Sequence, residues 1–153
     1  MRHLIDRVLE LQEDEISTEE IEETDDIETI PGDEELVELL ASLAPRIRVF
    51  GCGGCGSNTV QRLSDEGLLG GDHISGYAVN TDAQHLLRSR IEKKILIGRT
   101  ARGRGAGGDP EKGEKAAYES ERTLANIVND CDLAFVTTGL GGGTGTGSAH
   151  VMA

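Results

Sequence analysis

The sequence contains no tryptophan, and only two phenylalanines and two tyrosines occur among its 153 residues. Proteins that bind single-stranded nucleic acids stack bases on aromatic side chains, so this scarcity argues against a nucleic-acid partner. No run approaches the roughly 18 consecutive apolar residues of a membrane span, and residues 1–12 lack the apolar core of a signal peptide. We therefore expect a cytosolic protein.

Cysteine is scarce as well. The sequence has an odd number of cysteines, namely Cys52, Cys55 and Cys131, and no export signal. Both features favour reduced thiols over a disulfide framework. The first two cysteines form a CxxC motif, but a structural zinc site needs four ligands and the sequence contains no second pair. The cysteines therefore predict neither a zinc site nor redox chemistry.

Basic residues are almost missing from the start of the chain. Residues 1–45 carry 16 acidic residues against two arginines, a charge of −14, while residues 46–153 carry 12 acidic and 13 basic residues, a charge of +1, which together give −13. The sequence therefore predicts two regions, an acidic N-terminal arm (1–45) and a nearly neutral domain (46–153).

Within the arm, apolar residues follow helical spacing at positions 1–12 and again at 34–44, where Asp33 is a candidate cap. We expect one or two helices there. The polar stretch 13–28 is typical of a solvated linker. The alternative is a partner-binding or membrane-surface arm, although its acidity argues against binding to anionic lipid.

From Arg46 onward, short apolar runs alternate with helical patterns. The predicted strands are residues 47–50, 74–79, 94–97 and 133–137, and the predicted helices are residues 57–69, 82–90 and 110 to about 130. This order predicts an α/β fold with a Rossmann-like parallel sheet, flanking helices and ligand sites at the carboxyl ends of the strands.

A glycine-rich loop follows the first predicted strand at residues 51–58. Gly51, Gly53 and Gly56 satisfy the dinucleotide fingerprint GxGxxG, but the same loop suits a mononucleotide, so both ligands stay open at this point. A dinucleotide site also expects an acidic residue at the end of the second strand, and that strand ends in Asn80.

Two further loops carry polar groups. In residues 80–84, Asp82 could meet a phosphate-bound magnesium ion through water, but a helix cap by Thr81 or Asp82 is an equal alternative. Residues 102–109 contain four glycines in a loop that could close over a terminal phosphate while Arg102 or Arg104 balances its charge. A flexible surface loop is the alternative.

The fourth loop, residues 139–147, predicts a phosphate nest built from backbone N–H groups, with two threonine hydroxyls facing the anion. It is not a P-loop, because that motif needs a lysine and residues 131–153 contain neither lysine nor arginine.

The run GGGTGTG at residues 141–147 matches the tubulin signature in full, and GCGGCGSN, NTDAQ and GAGG precede it in the family's order. From about residue 47 onward the sequence therefore resembles the tubulin/FtsZ family of cell-division GTPases, and its arm resembles the extensions of archaeal members. The resemblance implies a truncated GTPase domain that binds GTP or GDP with Mg²⁺. The residues that it implies at the nucleotide and its phosphates are Gly54, Cys55, Gly56, Ser57, Asn58, Gly142, Gly143, Thr144, Gly145 and Thr146.

The terminal-phosphate end is implied less firmly at Asn80, Ala106, Gly107 and Gly108, with Asp82 meeting the metal indirectly through water. In the family, hydrolysis is completed between subunits by acidic residues of a later loop, so the resemblance implies no catalytic residue in this sequence and no activity for it alone. It also implies self-assembly into head-to-tail protofilaments that build the division ring, in the cytoplasm at the division site. A NAD- or FAD-binding Rossmann enzyme is the alternative function.

This sequence departs from the family pattern at a few positions. Asp109 stands where the family commonly has asparagine, which adds a negative charge near the expected terminal phosphate. His150 replaces a common proline, and Cys52 and Cys55 occupy positions that small residues often fill.

Overall fold

The computed structural model of the protein describes residues 33–70 and 73–153. Its elements in chain order are α1 (Glu34–Leu43), β1 (Ile47–Cys52), α2 (Gly53–Asp65), β2 (Ile74–Asn80), α3 (Ala83–Arg88), β3 (Lys93–Leu96), α4 (Pro110–Glu119), α5 (Glu121–Val128), β4 (Leu133–Thr138) and α6 (Gly143–Met152). The predictions for residues 1–12 and 13–28 lie outside the described residues. Helix α1 confirms the helix expected at 34–44, and the boundary after residue 45 stays a prediction.

Residues 43–153 form one compact unit around a four-stranded sheet. All neighbouring strands are parallel and lie in the order β3-β2-β1-β4. Ile47 of β1 pairs with Ile74 on one side and with Leu133 on the other. This arrangement confirms the predicted α/β fold with a parallel sheet.

The strand order contains a switch point. The chain runs outward from β1 through β2 to β3 and then returns to the opposite side of β1 with β4. In open parallel sheets, ligands bind outside the carboxyl ends of the strands at such a point. The junction between the ends of β1 and β4 is therefore where the fold offers a site.

Two hydrophobic clusters hold helices against the two faces of the sheet. Because side chains alternate along a strand, Phe50 enters the cluster that includes residues of α4, α5 and α6, while Val49 enters the one that includes residues of α2 and α3. Phe50 is fully buried and stacks on Tyr77 with ring centroids 5.1 Å apart. The described helices include none that is both long and apolar enough to cross a lipid bilayer.

The prediction that the second helix runs from residue 57 to 69 is wrong at both ends. Helix α2 begins at Gly53, so the glycine run is its first turn rather than a loop before it. A Cβ atom on Gly56 would collide with the carbonyl oxygen of Thr137, so glycine lets this turn lie directly on the sheet. The helix ends early because Gly67 takes a φ of +74° and its N–H bonds back to Ser64.

The single long helix expected from residue 110 to about 130 is also wrong, because Ser120 divides it into α4 and α5. The Ser120 hydroxyl accepts a hydrogen bond of 3.1 Å from the backbone N–H of Gly98. Its backbone, with φ −112° and ψ 5°, leaves the helical region. The residue at the break is therefore bonded to one that lies 22 positions away in sequence.

Candidate functional site

A cleft of about 570 Å³ opens at the carboxyl ends of the strands. Its walls come from the residues that follow β1, β2 and β4 and from the loop that leads into α4. The lining residues are Cys52, Gly53, Gly54, Cys55, Asn80, Asp82, His85, Arg104, Gly105, Ala106, Gly107, Gly108, Gly139, Leu140, Gly142, Gly143, Thr144 and Gly145.

Two helices begin at this cleft without a side-chain cap. Cys52 is the N-cap of α2 and its side chain accepts no hydrogen bond from the helix, while the N-cap of α6 is Gly142, which has no side chain. The first N–H groups of an α-helix have no partner inside the helix, and the helix dipole makes that end favourable for negative charge. Because these helices follow β1 and β4, both uncapped N-termini lie at the switch point.

The two neighbouring helices contrast with this pair. The Asp82 carboxylate caps α3 by accepting from the N–H groups of Gln84 at 2.9 Å and His85 at 3.1 Å. Asp109 caps α4 by accepting from the N–H of Glu111 at 3.0 Å. Of the two candidate caps that the sequence offered, Asp82 is therefore the cap, and the N-termini at the cleft without a side-chain cap are those of α2 and α6.

Thr81 has another role. Its hydroxyl lies 2.6 Å from the hydroxyl of Thr144, and both residues are buried. The second threonine of the signature, Thr146, accepts a hydrogen bond from the Gly141 N–H at 3.0 Å. Each signature hydroxyl therefore has a partner within the protein that holds the loop in shape, and the expectation that both also face an anion stays a prediction.

The glycines of the signature divide into two groups. A Cβ atom on Gly143 would lie 2.7 Å from the Asp109 nitrogen, and one on Gly145 would lie 2.5 Å from the Thr138 hydroxyl, so both provide close packing. A Cβ atom on Gly142 would meet no protein atom within 4 Å, and the same is true of Gly107 and Gly108. At these three positions a bare backbone faces open space in the cleft.

Acidic and basic side chains are few at this cleft. Asp82, His85 and Arg104 line it, and the lining residues include no lysine. The Nδ1 atom of His85 is buried and has no hydrogen-bond partner among the described residues. An anion bound here would therefore meet mainly backbone N–H groups.

The two cysteines beside the cleft differ in accessibility. Cys52 is fully buried, and burial raises the pKa of its thiol to about 11, although a hydrogen bond with Ser148 acts in the opposite direction. Cys55 is exposed. Only the second thiol is therefore open to a reagent in solvent.

The model of the family described as "Tubulin/FtsZ family, GTPase domain" matches residues 46–153. The chain belongs to the tubulin/FtsZ family. This membership confirms the resemblance inferred from the GGGTGTG signature, and the cleft at the β1–β4 switch point is where the signature lies in the fold.

Relatives of known name support the assignment. Cell division protein FtsZ 1 of Methanocaldococcus jannaschii is 50% identical over 134 residues, which are 87% of this chain and 36% of the relative. The solved structure of an empty FtsZ dimer from M. jannaschii superposes with a TM-score of 0.71 at 50% identity, covering 81% of this chain and 36% of the other. A GTPγS-bound protofilament of CetZ2 from Haloferax volcanii is 26% identical with a TM-score of 0.59, covering 70% of this chain and 34% of the other. The chain thus spans about a third of the length of these relatives.

The structure brings most of the predicted tubulin/FtsZ site residues together. Those that line the cleft are Gly54, Cys55, Asn80, Asp82, Ala106, Gly107, Gly108, Gly142, Gly143, Thr144 and Gly145. Gly56, Ser57, Asn58 and Thr146 do not line it. Gly56 and Ser57 are buried against the sheet, where the Ser57 hydroxyl donates to the Gly51 carbonyl at 3.3 Å. Asn58 lies instead in an adjoining pocket of about 480 Å³, which shares His85 with the cleft.

Sequence reasoning missed several lining residues, among them His85, Leu140 and Gly105. Nothing in the sequence distinguishes a histidine one turn into a short helix from an ordinary surface histidine. It reaches the cleft because Asp82 caps α3 at the end of β2 and so directs the first turn of that helix to the site.

Two of the departures from the tubulin/FtsZ pattern, Cys52 and Cys55, line the cleft, whereas Asp109 and His150 do not. Asp109 does not line it, and its charge is engaged by the N-terminus of α4 and by Lys112 at 3.4 Å. His150 lies away from the site, with its Nε2 3.1 Å from the Glu114 carboxylate, and so joins α6 to α4.

Proposed function

We propose that this chain carries the phosphate-binding half of a GTP site in a filament-forming, GTP-hydrolysing cell-division protein. The observation that carries the proposal is the pair of uncapped helix N-termini, those of α2 and α6, that open on one cleft at the switch point. Paired N–H groups and helix dipoles bind phosphate without any lysine. Membership of a GTPase family makes the anion a guanine nucleotide.

The phosphate contacts follow from the shape of the cleft. The backbone at Gly54 and Cys55 on one side and at Gly142 to Gly145 on the other provides N–H groups from the first turns of the two helices. Gly142 carries no side chain and has open space before it, so a phosphate oxygen can approach its backbone closely. Asn58, in the adjoining pocket, is proposed to contact the nucleoside part.

The residues present also suit a magnesium ion held through water. Asp82 is the only carboxylate that lines the cleft among the described residues, and its Oδ1 is occupied by the two capping N–H groups. The structure assigns no hydrogen bond to Oδ2, which leaves that atom for a metal-bound water. Mg²⁺ prefers oxygen ligands and keeps several of its waters. When bound, it neutralises the charge that develops between the two terminal phosphates.

Hydrolysis and assembly extend the proposal to the whole protein. We assign no water-activating residue to this cleft, because Asp82, the only carboxylate that lines it among the described residues, serves as a cap. A neighbouring subunit would supply the activating acid, and head-to-tail association would thereby couple hydrolysis to filament growth. The relatives' name, cell division protein, supports a place in the cytoplasm at the division site.

A dinucleotide enzyme is disfavoured by the end of β2. The fingerprint of that class needs an acidic residue there to hold the ribose, and the strand ends in Asn80, whose Oδ1 accepts from the backbone N–H of Asp82. The next carboxylate, Asp82, is engaged in capping α3.

Thermal unfolding in the presence of separate ligands tests the proposal. We expect GTP and GDP with Mg²⁺ to raise the melting temperature of the chain in proportion to the logarithm of their concentration, and NAD to leave it unchanged. Stabilisation by NAD, or by none of the three, would contradict the proposal. In the whole protein, GTP turnover per subunit should rise with protein concentration, because a shared active site forms only on association.

A further inference from the structure

Only one of the two arginines in the glycine-rich loop reaches the cleft. Arg104 lines it and Arg102 does not. Arg102 has a φ of +49°, and its N–H bonds to the carbonyl of Arg99 at 3.3 Å, so it is a turn residue. The structure thus separates two residues that the sequence leaves equivalent.

The backbone around Arg104 is held in place. The Gly103 carbonyl accepts from the Ala83 N–H at 3.0 Å, and the Gly105 N–H donates to the Thr81 carbonyl at 3.1 Å. Between these two bonds, Arg104 pairs with Asp82 in an isolated β-bridge. These contacts therefore join this part of the loop to the residues that follow β2.

The cleft has two chemically different ends. At one end the side chains are apolar: Leu140, which is 80% exposed, follows Gly139, and a Cβ atom on Gly139 would lie 2.7 Å from the Cys55 sulfur. At the other end Gly143 adjoins Ala106, and Arg104, Asn80 and Asp82 are close by in the lining. A nucleoside suits the apolar end, so the phosphate chain would run toward Arg104.

Arg104 is also the one permanently cationic side chain among the lining residues. Its guanidinium has no ion pair with any described residue. We infer that Arg104 binds the terminal phosphate and makes the cleft prefer a triphosphate over a diphosphate, an inference that rests on the proposed function. A planar guanidinium can donate two parallel hydrogen bonds to one phosphate, a contact that a diphosphate would be too short to reach.

Affinity measurements on matched variants test this assignment. The variants are Arg104→Gln, Arg104→Lys and, as the control from the same loop, Arg102→Gln. Titration calorimetry would give the dissociation constants of GTPγS and GDP, and of tripolyphosphate and pyrophosphate as base-free probes. All variants should melt within about 2 °C of the wild type without ligand, because the changes are on the surface.

We expect Arg104→Gln to weaken GTPγS and tripolyphosphate about tenfold, the loss typical of one charge-assisted hydrogen bond, and to weaken GDP and pyrophosphate less than about twofold. Arg104→Lys should recover part of the difference, and Arg102→Gln should change neither ligand. Equal weakening of both phosphate lengths, or no weakening, would overturn the inference while leaving the proposed function intact. A wild-type chain that binds neither nucleotide would refute both.

Discussion

Replacing Gly142 by alanine adds a single methyl group at the point where the cleft meets the N-terminus of α6. The backbone of Gly142 has φ −94° and ψ 171°, an extended conformation that alanine adopts without strain. The added Cβ would meet no protein atom within 4 Å. The substitution therefore disturbs whatever occupies the cleft and leaves the folded protein otherwise intact.

The expected size of the effect on folding is small. Alanine is a poorer N-cap than glycine by several tenths of a kcal/mol, but it also lowers the entropy of the unfolded chain by a similar amount of free energy. These terms have opposite signs, so we expect the free energy of unfolding without ligand to change by less than about 0.5 kcal/mol.

The expected effect on binding is larger. A methyl group forced against a bound phosphate costs about 1–3 kcal/mol, and a cost of about 1.4 kcal/mol, within that range, weakens GTP about tenfold. At a GTP concentration of about 100 times the wild-type dissociation constant, ligand stabilisation then falls from about 2.7 to about 1.4 kcal/mol. For a domain of this size the loss corresponds to several degrees of the ligand-induced rise in melting temperature.

Scanning calorimetry with and without GTP and Mg²⁺ measures both quantities in one series. Gly70→Ala is the matched control, because Gly70 is also free of neighbours within 4 Å and lies outside the cleft. The control should keep the full rise with GTP. If Gly142→Ala keeps it too, the phosphates do not approach this backbone and the placement of the site is wrong.

Four further outcomes follow from the same structure. Gly147→Ala, whose Cβ would collide with the Pro110 carbonyl, should cost about 1–3 kcal/mol in urea unfolding, and a variant that is as stable as the wild type would contradict the close helix contact. Iodoacetamide should modify Cys55 and not Cys52 in the folded protein, and GTP should slow the reaction at Cys55, as mass spectrometry can show. Burial raises the pKa of the Cys52 thiol from 9.0 to about 11, so between these pH values the folded state keeps a proton that the unfolded state loses. The contribution of this thiol to the stability of the fold is therefore full below pH 9 and is lost toward pH 11. Cys52→Ala should lessen this loss of stability at high pH. Asp109→Ala should cost about 1 kcal/mol through the lost cap of α4, whereas Asp109→Asn should keep both stability and GTP affinity.

Much of the architecture could be predicted because its signals are local. Short apolar runs between glycine-rich turns specify strands within a few residues of themselves, and all four predicted strands are present. Pro110 marks the first turn of α4 for the same kind of reason, since its fixed φ suits that position. The GGGTGTG run identified the family and placed the site at the end of a strand.

The exact roles of the site residues could not be predicted in this way, because each depends on an atom far away in sequence. The Thr144 hydroxyl forms a hydrogen bond with the hydroxyl of Thr81, 63 positions earlier. Ser120, where the predicted helix is divided, forms a hydrogen bond with the backbone N–H of Gly98. The glycines of the signature look alike in sequence. Yet position 143 needs a glycine because a Cβ atom there would lie 2.7 Å from a neighbouring backbone nitrogen, whereas Gly142 faces open space.

The sequence by itself thus determined the family, the parallel α/β fold and the four loops, since these depend on residue type and spacing along the chain. Only the tertiary structure decided which helix N-termini at the cleft have no side-chain cap, which of Thr81 and Asp82 caps α3, and which arginine reaches the cleft. The physical reason is that hydrogen-bond partners and free space are properties of neighbours in three dimensions, and strands β1 and β4, whose ends form the site, are separated by 80 residues of chain.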